Sequence, residues 1–291
     1  MISLINVFLF LIFKLKTIHL FKIQRHSFDI FKENHITFIE SHRGVHRELP
    51  QNTIRAFEKA IDYEIDGIEL DIWLSKDNIP VVVHGGWKGF LLFYYKNAFG
   101  FVTNYLLDEL KELEVIGGDD KMPTLEEVFK IAKGKLFINI EIKDDRCEKL
   151  FPILTDLLIK YDMFDQISIS SFHHNYIDYI IEFNKKNKKK IEFGFLYNKK
   201  FLIDYFRYDV KNTSLNIYYT DATKEICDKA HKNGMAVIAW FGMNDLETND
   251  KYKSLIENGV DSIISNYPKE AKTFRDNYYK KLKIKKNKKI K

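Results

Sequence analysis

From Ile36 onward the chain alternates between two hydrophobic periods. Short runs rich in Val, Ile and Leu are separated by stretches whose apolar residues recur every three or four positions, the periods of strand and helix. The short runs are Thr37–Ser41, Gly67–Ile72, Leu136–Ile142, Gln166–Ser170, Ile191–Leu196, Leu215–Tyr218, Met235–Trp240 and Ser262–Ile264. Ile79–Val83 continues the sheet after a turn at Asp77-Asn78. The first helix is expected to be capped by Asn52, with Ala56, Phe57, Ala60 and Ile61 as its buried stripe. Thr124 caps a second, carrying Leu125, Val128, Phe129 and Ile131. Further helices are expected at Glu148–Tyr161, His174–Phe183, Thr223–Lys232, Leu246–Glu257 and Lys269–Tyr279.

Eight strands with mostly helical crossovers define an α/β protein with a parallel sheet, because parallel neighbours require long connections. The count favours a closed (β/α)8 TIM barrel over an open doubly wound sheet. No Gly-rich nucleotide loop follows the first strand, which also weighs against a dinucleotide fold. The connection from Gly85 to Met122 is too long for a plain loop and is rich in aromatic residues, including Trp87, Phe90, Phe93, Tyr94 and Tyr95. It reads as an insertion after the second strand. It is either a small subdomain with its own core or an apolar wall for a substrate chain or a membrane surface. The expected organisation is an apolar leader or anchor over 1–35, the barrel over 36–280 with its insertion at 85–122, and a basic tail over 281–291.

Composition narrows the picture. The 291 residues are 45% apolar and 30% charged, a globular balance that one barrel domain accommodates. The formal charge of +5 is uneven: from Lys280 to Lys291 the chain is lysine-rich without an acid, and the body without it is mildly acidic. That balance excludes a basic face for nucleic acid. The tail reads as a solvated end, or as a contact for anionic lipid or an acidic partner. Ile2 to Phe13 is apolar apart from Ser3 and Asn6, yet shorter than the roughly 20 residues that span a bilayer. It reads as an uncleaved anchor or interfacial segment, as a helix packed on the domain, or as a misassigned start. Location is accordingly membrane-associated or cytoplasmic, and oligomeric state is left open. Cys147 and Cys227 lie in no metal-type spacing and read as free thiols.

Candidate chemistry follows from strand alternation. In Ile68-Glu69-Leu70-Asp71-Ile72 the apolar residues face the helix layer, so Glu69 and Asp71 share the inner face. Ile138 to Lys143 repeats the pattern and turns Asn139, Glu141 and Lys143 inward. Carboxylates facing into a barrel are costly unless paired or metal-bound. Glu69, Asp71 and Glu141 form an oxygen-rich set of the kind that Mg²⁺ or Ca²⁺ takes. His42 ends the first strand immediately before Arg43-Gly44, and His84 ends a Val-rich run beside Gly85-Gly86. Two proton carriers, a cation site and fixed positive charge suit phosphate-ester hydrolysis. His46, His173, His174 and His231 have no such context and read as surface or structural residues.

The stretch Ser41-His42-Arg43-Gly44, Pro50-Gln51-Asn52-Thr53, Glu69-Leu70-Asp71 and Val83-His84 resembles the signature of the glycerophosphodiester phosphodiesterase family. Later pieces agree in order: Met122-Pro123-Thr124-Leu125, Glu141-Ile142-Lys143, Ser170-Ser171-Phe172, Asn233-Gly234 with Trp240, and Gly259 to Pro268. The resemblance covers roughly 36 to 279. It implies that His42 and His84 are the acid/base pair. It also implies that Glu69, Asp71 and Glu141 hold a divalent cation, Mg²⁺ or Ca²⁺, and that Arg43 and Lys143 bind the phosphate. Trp240 is a further expected substrate contact. The chain departs from the family pattern at Gln51, usually glutamate, at Gly85, usually aspartate, and at Asn266, often aspartate. One extra residue follows Trp240.

The implied activity is metal-dependent hydrolysis of glycerophosphodiesters to glycerol phosphate and an alcohol. The apolar N-terminus and the aromatic connection motivate one alternative, lysophospholipase D-like hydrolysis of lysophospholipids. A catalytically silent lipid-binding barrel is another. The expected partner is therefore a small glycerophosphodiester or a lysolipid, with membrane-surface contact as a secondary expectation.

Overall fold

The structure is a computed structural model that describes residues 36–96, 98–197 and 213–289. The expected leader over 1–35 lies outside the described residues, as does the end of the basic tail. Among the described residues no helix is long and apolar enough to cross a membrane.

In chain order the elements are β1 (Phe38–His42), α1 (Ile54–Asp62), β2 (Gly67–Leu74), β3 (Pro80–Val82), β4 (Tyr95–Lys96), α2 (Leu107–Glu112) and β5 (Glu114–Val115). They continue with α3 (Leu125–Ala132), β6 (Phe137–Ile142), α4 (Cys147–Tyr161), β7 (Ile167–Ser171), α5 (Tyr176–Lys186), β8 (Glu192–Leu196) and β9 (Thr213–Tyr218). The last are α6 (Lys224–Lys232), β10 (Met235–Trp240), α7 (Asn249–Asn258), β11 (Ser262–Ser265) and α8 (Pro268–Lys289).

The main sheet runs β1-β11-β10-β9-β8-β7-β6-β2-β3, and an additional β1–β2 pairing closes it. Every pairing round the ring is parallel, and β3 alone is antiparallel, folded back on β2. The barrel therefore has eight parallel strands. Ile79–Val83 does not extend the ring. Five residues between β2 and β3 allow a reversal but no crossover, so Ile72 pairs with Val82 and Leu74 with Pro80.

Alternation sorts the strands as expected. Ile68, Leu70, Ile72, Ile138, Ile140 and Ile142 join Phe57 and Ala60 of α1 and Val128 and Phe129 of α3 in one buried layer outside the barrel. The inner face combines buried polar side chains with a small apolar cluster of Ala236, Ile238 and Ile264. Glu40, fully buried, accepts hydrogen bonds from Asn139 Nδ2 at 3.0 Å and Ser262 Oγ at 2.6 Å. Burial, only partly offset by those two bonds, raises its carboxyl from 4.5 to about 7.

Two expected boundaries shift. The cap of α1 is Thr53, whose side chain accepts from the Ala56 amide, and Asn52 is instead in the left-handed region at φ 56°. The last helix continues past 280 to Lys289, so the start of the lysine-rich tail extends α8. At its base Arg275 donates to the Thr37 carbonyl at 3.1 Å and to Asp66, tying the helix to the foot of β1. Between β3 and α3 the chain builds a second small core from Val83, Leu91, Tyr95, Val102 and Leu110, packed against Trp73 of β2. Phe93 and Phe99 of this segment are each 73% exposed. Both cysteines are free and buried.

Candidate active site

In a closed parallel barrel, functional side chains collect where the strands end at their carboxyl side. His42 is the last residue of β1, Trp240 of β10, Lys143 follows β6, and Asn266 follows β11. The first three line a cavity of about 170 Å³ whose wall includes His42, Arg43, Glu69, His84, Glu141, Lys143 and Trp240. Seven of the eight residues expected from sequence thus meet at one mouth. Asp71 lies just beneath the wall, with no exposed surface.

Strand register brings the carboxylates together. His42 pairs with Glu69 across β1–β2, and Asp71 with Glu141 across β2–β6. One oxygen from each of Glu69, Asp71 and Glu141 lies within 4.8 Å of the others. Arg43 Nε is 3.2 Å from Asp71 Oδ2, and Lys143 Nζ is 3.3 Å from Asp71 Oδ1 and 2.5 Å from Glu141 Oε1. Asn52 Nδ2 donates to Asp71 Oδ2 at 2.9 Å. The Arg43 amide donates to Glu69 Oε2 at 3.1 Å, while Glu69 Oε1 is buried without a hydrogen-bond partner.

These contacts split the carboxyls. Burial would raise Asp71, but Arg43 and Lys143, then His84 and the Asn52 bond, hold it well below the usual range. Glu69 is pushed well above its ordinary value by burial, then by the charges of Asp71 and Glu141. Glu141 is also raised, first by burial, with Lys143 opposing and Asp71 adding to the rise. A buried carboxylate pushed up beside two others, with one oxygen unpartnered, is what a divalent cation relieves. The donor set is all oxygen and suits a hard cation.

The histidines have neutral partners. His42 Nδ1 lies 2.8 Å from Asn266 Oδ1, and its Nε2 faces Glu69 Oε2 at 3.9 Å. Burial, followed by the charge of Arg43, holds the His42 imidazole well below its ordinary value. His84 Nδ1 lies 2.7 Å from the Tyr94 hydroxyl, and its carbonyl accepts from Trp73 Nε1 at 3.0 Å. Burial pushes His84 down to about 3; Asp71 opposes this, and Arg43 and Lys143 add to it. His46 is half-buried and structural, one of the two readings expected for it. Its Nδ1 donates to the His42 carbonyl at 2.8 Å, and burial brings it down to about 4.

Backbone geometry fixes the His42-Arg43-Gly44 turn. Arg43 and Gly44 both have positive φ, 54° and 76°. A Cβ on Gly44 would meet Ala56 Cβ at 2.8 Å, so only glycine lets α1 pack this close. Trp240 makes edge contacts with Tyr218 at 5.0 Å and Phe172 at 6.4 Å, forming an aromatic side of the cavity. The Lys143 ammonium lies 5.6 Å from the Phe172 ring centre.

Several partners were not identified from sequence. Asn52 was read as a helix cap and turns out to hold Asp71. Gln51 Oε1 accepts from Arg43 Nη1 at 2.8 Å. Tyr94 and Asn266 hold the two imidazoles. Asparagine tolerates the positive φ that Asn52 adopts as readily as it caps a helix, so its identity alone does not separate the two roles.

A closed eight-stranded parallel barrel with carboxylates, imidazoles and fixed cations at its carboxyl mouth defines the class, a TIM-barrel hydrolase. The chain belongs to the Glycerophosphoryl diester phosphodiesterase family, whose model matches residues 42–270. A glycerophosphodiester phosphodiesterase from Caldanaerobacter subterraneus subsp. tengcongensis is 32% identical over 245 residues, 80% of this chain and 95% of that protein. One from Bacillus altitudinis is 28% identical over 257 residues, 83% and 99% of the two chains. A solved structure from Galdieria sulphuraria superposes with a TM-score of 0.74 at 27% identity, covering 83% of this chain and 98% of that one. An Oleispira antarctica phosphodiesterase in complex with its product sn-glycerol-3-phosphate shares the fold at a TM-score of 0.69 and 22% identity, covering 83% and 97%.

Proposed function

We propose that the protein is a phosphoric diester hydrolase that cleaves glycerophosphodiesters to glycerol phosphate and an alcohol. The observation that carries this reading is the convergence of Glu69, Asp71 and Glu141 within 4.8 Å, beneath two histidines and beside Arg43 and Lys143. The named activity of relatives that span nearly the whole barrel supports it.

Glu69, Asp71 and Glu141 would hold a divalent cation, Mg²⁺ or Ca²⁺. When bound, it supplies charge neutralisation at the phosphate and a fixed site for a substrate oxygen. Arg43 and Lys143 add positive charge where the phosphodiester would lie. Trp240 and Phe172 give the glycerol moiety an apolar side to pack against. One imidazole takes a proton from the attacking hydroxyl and the other protonates the departing alcohol, a pair of transfers that each contribute roughly 10²–10⁴-fold.

Turnover of glycerophosphocholine, followed by release of glycerol phosphate and choline, tests the proposal. Release of both products supports it, and inert substrate with folded, metal-supplied protein sinks it. A second reading, lysophospholipase D-like cleavage, is favoured by exposed Phe93 and Ile116 on a groove that also contains His84. Faster turnover of lysophosphatidylcholine than of glycerophosphocholine would select it.

A further inference from the structure

We infer that the amino-terminal end of the barrel, opposite the catalytic mouth, is a docking face for a bilayer surface rich in anionic phospholipid. Its chemistry is independent of the phosphodiesterase reading above, and two separate observations carry it.

The first is where the fold puts the lysines. Composition conceals it, because the body of the chain without the segment from Lys280 is mildly acidic. Each helix of a (β/α)8 barrel runs back from the carboxyl mouth, so the turns that lead from helix into strand collect at the opposite end. The turn from α3 into β6 carries Lys133 and Lys135, and the end of α6 before β10 carries Lys229 and Lys232. At the end of α5 and in the turn to β8, five of the six residues from Lys185 to Lys190 are lysine. All of these are exposed. Among the acids of this end, Asp66 is held by Arg275, Asp162 by Lys189 and Asp261 by His231 at 2.7 Å. Glu257 accepts from the Tyr278 hydroxyl at 3.0 Å. Asp62, Glu64 and Asp165 are exposed, fewer than the lysines around them. Side-chain amides fix the turns: Gln166 Oε1 accepts from the Gly134 amide at 2.7 Å, and Asn184 Nδ2 donates to the Ile191 carbonyl at 2.9 Å. The lysines are thus presented on an ordered backbone.

The second observation is the end of α8. Tyr279 and Arg275 meet Thr37 at the foot of β1, and the ten residues from Lys280 to Lys289 carry the helix about 15 Å past Tyr279. Lys280, Lys281 and Lys283 are exposed there, and so are Leu282 at 37% and Ile284 at 48%. Charge alone would suit any polyanion. Apolar side chains standing among lysines favour a bilayer, whose headgroups meet the ammonium groups while the acyl boundary takes the apolar ones.

The course of the chain agrees. β1 begins at this same end, so the sequence that leads into it, apolar over Ile2–Phe13 and followed by Lys14 and Lys16, joins the barrel at the docking face. With this end on the surface, the carboxyl mouth and the exposed Phe93 and Phe99 open away from it.

Sedimentation of the full chain with vesicles tests this. The wild type should bind phosphatidylcholine vesicles that contain phosphatidylglycerol, bind pure phosphatidylcholine far less, and be released as salt rises. Each lysine at an anionic surface adds roughly fivefold to partitioning. Lys185→Gln, Lys186→Gln, Lys188→Gln, Lys189→Gln and Lys190→Gln combined should therefore weaken binding by at least about tenfold, and Leu282→Ser with Ile284→Ser should also weaken it. Circular dichroism checks that each variant is folded. Because Cys147 and Cys227 are buried, an environment-sensitive dye can be placed selectively on Lys283→Cys or on Phe99→Cys. The dye should report an apolar setting on the anionic vesicles at Lys283→Cys and no change at Phe99→Cys. Equal binding to both kinds of vesicle, or either binding variant within about twofold of wild type, would overturn the proposal. So would a dye response at Phe99→Cys in place of Lys283→Cys, which puts the mouth on the surface. Displacement of the bound protein by an equal phosphate concentration of duplex DNA would assign the face to nucleic acid and overturn it as well.

Discussion

Replacing Asn52 separates two effects that meet at one residue. Its side chain donates to the buried, ionised Asp71, and its backbone sits at φ 56°. A hydrogen bond to a charged group contributes about 1.5–3 kcal/mol. The left-handed backbone costs an ordinary L-residue about 1–2 kcal/mol, a cost asparagine lowers and glycine escapes. Asn52→Ala should therefore destabilise by about 2.5–5 kcal/mol, the sum of the two terms. Asn52→Gly loses the bond but keeps the backbone at ease, and should fall short of the alanine variant by about 1–2 kcal/mol. Asn52→Asp places a second carboxylate against Asp71 and should exceed the glycine variant. Urea unfolding at neutral pH, with matched slopes, gives the comparison directly. Equal losses for alanine and glycine would refute the backbone argument. An alanine variant within about 0.5 kcal/mol of wild type, the range of neutral surface changes, would refute both.

Two further outcomes are expected. Glu40 is raised from 4.5 to about 7 in the fold, so between those values the native state holds a proton that the unfolded chain has released. Its contribution is fully present below 4.5 and is lost as pH rises through about 7; Glu40→Gln should flatten that decline, and an unchanged pH slope of stability would count against the buried-acid reading. Glu141→Gln keeps shape and removes one charge, so calorimetric affinity for Mg²⁺ or Ca²⁺ should weaken by at least about tenfold, and unaltered affinity would remove Glu141 from the ligand set.

Much of the architecture was readable because it is local. Ile68, Leu70 and Ile72 alternate with Glu69 and Asp71, and a period of two on a parallel strand leaves little choice of which set faces the helices. The same argument placed Glu141 and Lys143 beside them. Ile79–Val83 continues the sheet after its turn, as expected, and the five-residue link to β2 makes it antiparallel, a direction on which periodicity carries no information. The partners were a different matter. Tyr94 reaches His84 from within a connection that has no regular period, and Asn266 reaches His42 across 224 positions. Such pairs are set by closure of the barrel, which brings β11 against β1, and a residue's own neighbourhood does not announce them. Asn52 was misread because asparagine suits both a helix cap and a left-handed turn, and Thr53, one position on, makes the cap.

The proposed activity is hydrolysis of glycerophosphodiesters at this mouth with a cation held by Glu69, Asp71 and Glu141. The most direct measurement follows glycerophosphocholine turnover in chelator-stripped protein, verified metal-free, and then in the same sample after Mg²⁺ or Ca²⁺ is added. No turnover is expected when stripped, and release of glycerol phosphate and choline should return on addition of the cation. Full turnover by verifiably metal-free protein would contradict it.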